Sequence, residues 1–478
     1  MVILYGILAL LILFAAIVLL RAAKFKPDGI LPEASEKPDL NFEKAVSHFS
    51  ELIRFKTVSS YDWDEVDEAE FEALRTRLKT LYPRVHTHCT REEVGKTGLL
   101  FRWPGKQSGA PTVLMSHYDV VPAVESLWTH PVFEGAVEDG FIWGRGTLDT
   151  KGTLCGILEA VEYWIEKGFV PAQDVYLSFS GDEEVSGPSA PAIVRHLKER
   201  GIHPALVLDE GGAVVDGVFP GVTFPTAMVG IGEKGYMDVR FEVTGKGGHA
   251  SAPPPHSLLG DVARAITKIE THPFKAHLTP PAKEMLETLG RYSSFGMRVV
   301  LANLWCFEPL IKVLFTKQGG EMNAMIRSTV AVTRAEGSKA YNVLPPKAYV
   351  GLNLRLLVTE DKDSALEHLT RTINDPRFEA HIVDYRSASP YASTASDGFA
   401  AVKRAIEKTW SSTIVSPYLM LAGSDSRHFS DICDHVLKFS AMHLSKEELG
   451  LIHGNDERIA VEGFEDMISF YVHLIEML

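Results

Sequence analysis

At 478 residues, with 45% hydrophobic and 23% charged side chains, the chain is too long for one compact core and too apolar for disorder, so two domains are expected. The net charge of −14, with no basic run and no aromatic-interleaved Lys/Arg stripe, argues against nucleic acid as a partner, because phosphate binding needs basic patches. Four scattered cysteines (Cys89, Cys155, Cys306, Cys433) form no CxxC pair and read as buried thiols, not as staples or a thiolate metal site.

Val2 to Leu20 is almost wholly apolar, and Arg21, Lys24 and Lys26 follow it. A bilayer span needs about 20 apolar residues. A cleaved signal has a shorter apolar core of roughly 7–15 residues behind a basic start, and no basic residue precedes this run. Residues 1–22 are therefore expected to be an uncleaved anchor; a run apolar all round at the terminus fits a buried core helix poorly. By the positive-inside rule the basic residues after the span favour the cytoplasmic side. A polar, Pro-containing linker, residues 23–41, comes next.

The globular body opens near Phe42 with a helical pattern (Ala45, Phe49, Leu52, Ile53). Short apolar runs at Pro111 to Ser116, Asp174 to Ser180 and Ala205 to Leu208 predict buried strands. Leu154 to Trp164 and Ala190 to Leu197 predict helices between them. That alternation predicts an α/β fold, a mostly parallel sheet with helices on both faces. The pattern changes near Gly235. Strands are expected at Tyr236 to Val243, Thr329 to Arg334, Tyr349 to Leu357 and Phe378 to Asp384, and helices at Leu258 to Ile269 and Ser364 to Ile373. This β-α-β-β-α-β order predicts a ferredoxin-like α+β domain over 235–389, inserted between catalytic segments 42–234 and 390–478. It carries an apolar insertion of its own, 274–325, which fills the small domain's core or a subunit interface, or else binds an acyl chain or rests on a membrane.

Five segments carry chemistry. Val113 to Asp119 is an apolar strand ending in His117-Tyr-Asp119, and alternate strand residues share a face. Strand ends are where open α/β sheets build sites. Trp143 to Gly152 sets glycines before Asp149 at the start of a helix, without P-loop spacing. Val175 to Glu184 ends a buried strand in Asp182-Glu183-Glu184, and carboxylates so crowded repel unless one is protonated or a cation neutralises them. Ala205 to Glu210 again runs an apolar strand into acid, and Leu451 to Glu457 supplies His453. Each alone reads equally as a capping aspartate, a surface histidine or an acidic turn. Together they offer imidazole and carboxylate donors for a divalent metal, and two metals sharing one bridging carboxylate would use five of them.

These segments, with Gly247-Gly-His249-Ala-Ser251, resemble the aminoacylase–carboxypeptidase di-zinc metallohydrolase family over nearly the whole chain after the anchor, and within it the carboxypeptidase S and N-fatty-acyl-amino-acid synthase/hydrolase branch. The resemblance implies two Zn2+ per subunit bridged by Asp149, with His117 and Asp209 completing one metal and Glu184 and His453 the other. It implies that Asp119 orients His117 and that Glu183 is the general base. A cis peptide after Asp149 is part of the same pattern. The small domain matches the family's lid, with His249 reaching the scissile carbonyl and Asn342 and Arg355 at lid positions. The loop Gly423-Ser424-Asp-Ser-Arg427 resembles one that holds a substrate carboxylate, a task suited to the planar guanidinium fork. The implied activity is cleavage of the C-terminal peptide bond of a short peptide, or of the amide of an N-acyl amino acid. The branch also implies a catalytic domain outside the cytoplasm, or secreted if the N-terminus is cleaved, and a homodimer through the lid. Two alternatives stand beside this: an aminopeptidase or dipeptidase with the same metal chemistry, which would call for a carboxylate facing a free amine, and a membrane-tethered binding protein, which would call for a lost ligand or base.

Overall fold

The computed structural model describes residues 1–219 and 221–478. The main sheet has eight strands: β1 (Thr90–Val94), β2 (Gly98–Trp103), β3 (Thr112–His117), β4 (Val175–Ser180), β5 (Leu206–Val215), β6 (Thr226–Glu233), β11 (Ile414–Met420) and β12 (Val436–Leu444). Numbers β7 to β10 belong to the second sheet described below. The order across the main sheet is β1-β2-β4-β3-β5-β12-β6-β11.

The sheet is mixed, which corrects the expectation of a mostly parallel one. Strands β4, β3, β5 and β12 pair parallel, as do β6 and β11, but β1 and β2 are antiparallel and β6 runs against β5 and β12. The physical reason is connection length. Only Gly95 to Thr97 join β1 to β2, and a parallel pair needs a crossover of a dozen or so residues.

Both faces of the sheet are covered, and the strands show why. Leu114, Leu177, Leu206 and Leu208 join one core with helices Phe42–Ile53, Lys151–Glu166 and Val461–Ile475. Their neighbours Val113, Met115, Tyr176 and Val207 point the other way and pack on helix Ser189–Glu199 and on Phe429 and Ile432. Residue alternation along each strand thus feeds two cores, and apolar runs without polar breaks are the signature of strands buried on both sides.

The second sheet contains β7 (Gly235–Thr244), β8 (Thr329–Glu336), β9 (Lys347–Leu356) and β10 (Phe378–Arg386), in antiparallel order β8-β9-β7-β10. Here burial mostly alternates, broken by Glu242 in β7 and Gly351 in β9. Met237, Val239, Phe241 and Val243 face helices Leu258–Thr271 and Lys362–Ile373 across a separate core. Main-chain continuity from β6 to β7 is a single residue, Lys234, buried and donating to the carbonyls of Ala324 at 3.1 Å and Arg327 at 2.9 Å.

The insertion does not fill that small core. It folds into helices Pro280–Arg291, Phe295–Leu301, Leu304–Gln318 and Gly320–Met325. Ala282, Met285, Leu286, Leu289, Ile311 and Phe315 pack on Phe219, Met228 and Ile414 at the β6/β11 edge of the main sheet. The N-terminal helix, Val2–Lys24, is apolar enough to cross a membrane and mostly exposed, with only Val18 and Ala22 buried.

Candidate active site

Three strands, one helix start and one distant loop converge. His117 ends β3, Glu183 and Glu184 follow β4, Glu210 lies in β5, Asp149 precedes helix Lys151–Glu166, and His453 comes from the segment after β12. His117 Nε2 lies 2.9 Å from Asp149 Oδ1 and 3.5 Å from Glu210 Oε1. His453 Nε2 lies 3.0 Å from Asp149 Oδ2 and 3.0 Å from Glu184 Oε2. Asp149 therefore turns one carboxylate oxygen to each histidine. Two overlapping donor groups result, His117 with Asp149 and Glu184, and His117 with Glu183 and Glu210. The peptide bond after Asp149 is cis.

Asp209, expected beside His117, is not the carboxylate found there; Glu210 is. Adjacent residues on a strand face opposite ways. Asp209 turns toward the Gly423–Arg427 loop, where its Oδ2 accepts the Ser426 amide at 3.0 Å. Asp209 is thus a brace for the loop the sequence singled out as a carboxylate holder.

Asp119 is fully buried and ties the first histidine to the acidic loop. Its carboxylate lies 3.3 Å from His117 Nδ1 and accepts the backbone amides of Glu183 at 3.2 Å and Glu184 at 3.1 Å. The Ser59 hydroxyl donates to it as well, at 2.8 Å.

Glu457 went unassigned in the sequence. It is fully buried, and its Oε1 accepts the amides of Gly146, Leu148 and Asp149 at 3.1, 2.7 and 3.2 Å. Its Oε2 takes Arg145 Nη1 at 2.5 Å, and Arg145 Nη2 donates to the Gly454 carbonyl at 2.9 Å. This pair locks the Asp149 turn to the His453 loop. A charged residue at each end of the two motifs was the available signal, but the partners lie 312 residues apart.

The electrostatics follow from this crowding. Burial raises the Glu183 carboxyl well above its usual range; His117 opposes this, while Glu210, Asp425 and Glu184 add to it. Burial and then the charge of Asp149 push Glu210 up to about 8. Hydrogen bonds to Asp149 and Glu184 carry His453 up to about 10. Burial works against the Asp149 carboxylate, yet His117 and His453 hold it below its usual range.

The substrate-side residues fall into two groups. Arg427, mostly buried, sets Nη2 2.5 Å from Glu233 Oε1, and Glu233 also accepts the Ser424 amide at 3.3 Å. Arg427 Nη1 is buried without a hydrogen-bond partner among the described residues. A side chain at Gly423 would strike the Arg427 guanidinium, so glycine there keeps the fork in place. Next to this loop, the Asp425 carboxyl accepts the Ser180 hydroxyl at 2.5 Å.

The second group sits on the small domain. His249 lies on a short exposed strand with Gly248, paired to Val343 and Leu344, and the Ala250 amide donates to the Asn342 carbonyl at 3.0 Å. His249 Nδ1 is 2.7 Å from Ser251 Oγ. Arg355 stacks over Tyr236 at 4.8 Å and Arg386, not anticipated, lies 5.2 Å from the same ring. Arg386 Nη1 donates to Ser186 Oγ at 2.5 Å, which joins the small domain to the loop carrying Glu183 and Glu184.

The model of the peptidase family M20/M25/M40 matches residues 113–477. A probable carboxypeptidase S-like 2 of Dictyostelium discoideum is 35% identical over 88% of this chain and 82% of its own length. An N-fatty-acyl-amino acid synthase/hydrolase, PM20D1, of Xenopus tropicalis is 32% identical over 94% and 88%. Among solved structures, the M20 family metallo-carboxypeptidase Sso-CP2 from Sulfolobus solfataricus has a similar fold, with a TM-score of 0.65 at 18% identity, covering 91% of this chain and 98% of that one. Taken with the converging histidines and carboxylates, the chain belongs to the M20/M25/M40 peptidase family and is a hydrolase of that metal-dependent group.

Proposed function

We propose that the protein is a two-zinc amidohydrolase that cleaves the C-terminal peptide bond of short peptides or the amide of N-acyl amino acids. The observation that carries this reading is Asp149, whose two oxygens each face a different histidine. The donor set fits the metals: imidazole and carboxylate without thiolate suit zinc, and Glu184 Oε1 is buried with no hydrogen-bond partner among the described residues. His117, Asp149 and Glu210 would hold one ion and Asp149, Glu184 and His453 the other. When bound, such ions lower the pKa of a water and polarise the amide carbonyl.

The chain's own residues do the rest. Glu183, whose carboxyl burial raises above its usual range, takes a proton from the attacking water and returns it to the leaving nitrogen. Asp119 holds His117 and the Glu183–Glu184 backbone in one frame. Arg427 turns its free prong to the substrate's terminal carboxylate, with Gly423 and Ser424 shaping the loop. That preference for a free acid favours a carboxypeptidase or acylase over an aminopeptidase. His249 and Asn342, with Arg355 on the same domain, close over the substrate so that His249 meets the developing oxyanion. Val2 to Leu20 anchors the enzyme in a membrane; the likeness to the carboxypeptidase S branch favours a catalytic domain outside the cytoplasm, against the pull of Arg21, Lys24 and Lys26 toward the inside. Strand β10 stands at the edge of its sheet with Ile382 and Val383 exposed, which suits a homodimer joined through the small domain.

Glu183→Gln tests the core of the reading. The amide keeps the shape but removes the base, so metal content should be retained while hydrolysis of N-acyl amino acids and dipeptides falls by about 10²–10⁴-fold. Near-normal turnover at full metal loading would show that another group activates the water.

A further inference from the structure

We infer that helices Phe295–Leu301 and Leu304–Gln318 form an elbow that is itself submerged in the bilayer, beside the N-terminal helix. The inference rests on the anchor reading of Val2 to Leu20 and goes beyond it, since a tether alone would leave the body in water.

The N-terminal helix does not hang free of the protein. Arg21 Nε and Nη2 both donate to the Ala302 carbonyl, at 3.2 and 3.1 Å, and so cap the C-terminal end of helix Phe295–Leu301. Asn303, fully buried, donates to the Val18 carbonyl at 3.1 Å and to Val299 at 2.9 Å. Phe14 meets Trp305 edge-on at 5.9 Å. Phe25 packs into the insertion's core under Arg291, whose guanidinium lies 5.1 Å from its ring. The last half of the helix is bolted to the elbow, and only the stretch from Val2 to about Leu13 stands clear.

Length decides where the water–lipid boundary falls. At 1.5 Å per residue, Val2 to Leu13 provides about 18 Å of apolar helix, well short of the roughly 30 Å hydrocarbon layer. The whole of Val2 to Leu20, about 28 Å, is needed to cross it. The boundary therefore lies near Arg21, the first charged side chain. Phe14 is seven residues before it, about 10 Å deeper, and Trp305 stands against Phe14. The elbow is carried below the boundary with the helix it is bolted to.

Its surface agrees. The two helices meet at a 106° bend. Phe295, Trp305, Leu310, Val313 and Leu314 are 45–61% exposed, on the side away from the buried Ile311 and Phe315. On Leu304–Gln318 the apolar positions 305, 310, 313 and 314 lie on the half of the helix opposite Ile311 and Phe315, and Lys317, the charge on that half, sits in the last turn where its stem reaches toward water. Glu308, the acid on this helix, is matched by Lys312 at 3.2 Å and Lys283 at 3.8 Å. The occupant of the exposed half is the acyl layer of the same bilayer that holds the N-terminal helix.

Full-length protein reconstituted into phosphatidylcholine vesicles, with and without bromine on the acyl chains, tests this. The chain has seven tryptophans, and subtracting the emission of Trp305→Phe isolates Trp305. The Trp305 component should lose intensity in brominated vesicles while the protein resists extraction by alkaline carbonate. A Trp305 component equally bright in both vesicles, in a protein that still resists extraction, would overturn the submerged elbow and leave the anchor standing. Release by carbonate, or a mature chain that begins after Leu20, would overturn the anchor and the elbow together.

Discussion

At the scale of single residues, Asp209 and Glu210 divide two tasks between adjacent positions. Glu210 turns to His117 and Asp209 to the Ser426 amide. Glu210→Gln should therefore lower the metal bound per chain, with affinity falling by at least the roughly 10–100-fold seen for outer partners of metal ligands. Asp209→Asn should keep the metal and act on substrate binding through the loop. Metal analysis of both variants decides it: loss from Asp209→Asn with full retention in Glu210→Gln would reverse the assignment. Arg427→Ala should raise KM for free-acid substrates by about 10–100-fold, the worth of a charge-assisted hydrogen bond, and leave the corresponding amides much less affected. Equal effects on both classes would count against a carboxylate site. His117, Glu183, Glu184 and the Asp209–Glu210 pair stood out because apolar runs lead into acid or histidine there, and Asp149 because glycines set it before a helix. The choice between neighbours was not legible, since it depends on which face of β5 is turned to the site. Nor was Glu457, whose partner Arg145 is brought to it only by the folded chain.

At the scale of elements, legibility tracked how cleanly a segment repeats. The expected strands at Tyr236 to Val243 and Tyr349 to Leu357 correspond to β7 and β9, where buried and partly exposed residues alternate over most of each strand. Strand β6 left little trace because Gly230 and Gly232 interrupt it, and glycine weakens strand patterns. Those glycines are needed: side chains there would meet Lys438 and Tyr391. The residue after β6, Lys234, has its own signature. Burial lowers its ammonium from 10.5 to about 7. Between these values the unfolded chain holds a proton that the folded one has lost, so the stability contributed by this position rises with pH. Relative to Lys234→Met, the parent should gain stability between pH 7 and pH 10, read as a rise of the parent's Tm relative to the variant's across that window. A difference flat across that window would mean that the carbonyls of Ala324 and Arg327 keep the lysine charged.

At the scale of the whole molecule, the change of period near Gly235 marked where the second sheet begins, but what the helices within 274–325 pack on was not readable. These helices pack on the β6/β11 edge and on the N-terminal helix, contacts that cross most of the chain. The Arg145–Glu457 pair spans farther still, and the direction of synthesis gives it a further meaning. The ribosome completes Glu210 roughly 240 residues before His453, an interval of about 10–50 seconds at the usual pace of elongation. Throughout it, the growing chain has its first histidine and most of its acids but neither the second histidine nor the carboxylate that grips the Asp149 turn. On the proposed ligand set, a polypeptide that stops short of His453 would be inert as a hydrolase, and competence would wait for the segment that carries His453 and Glu457.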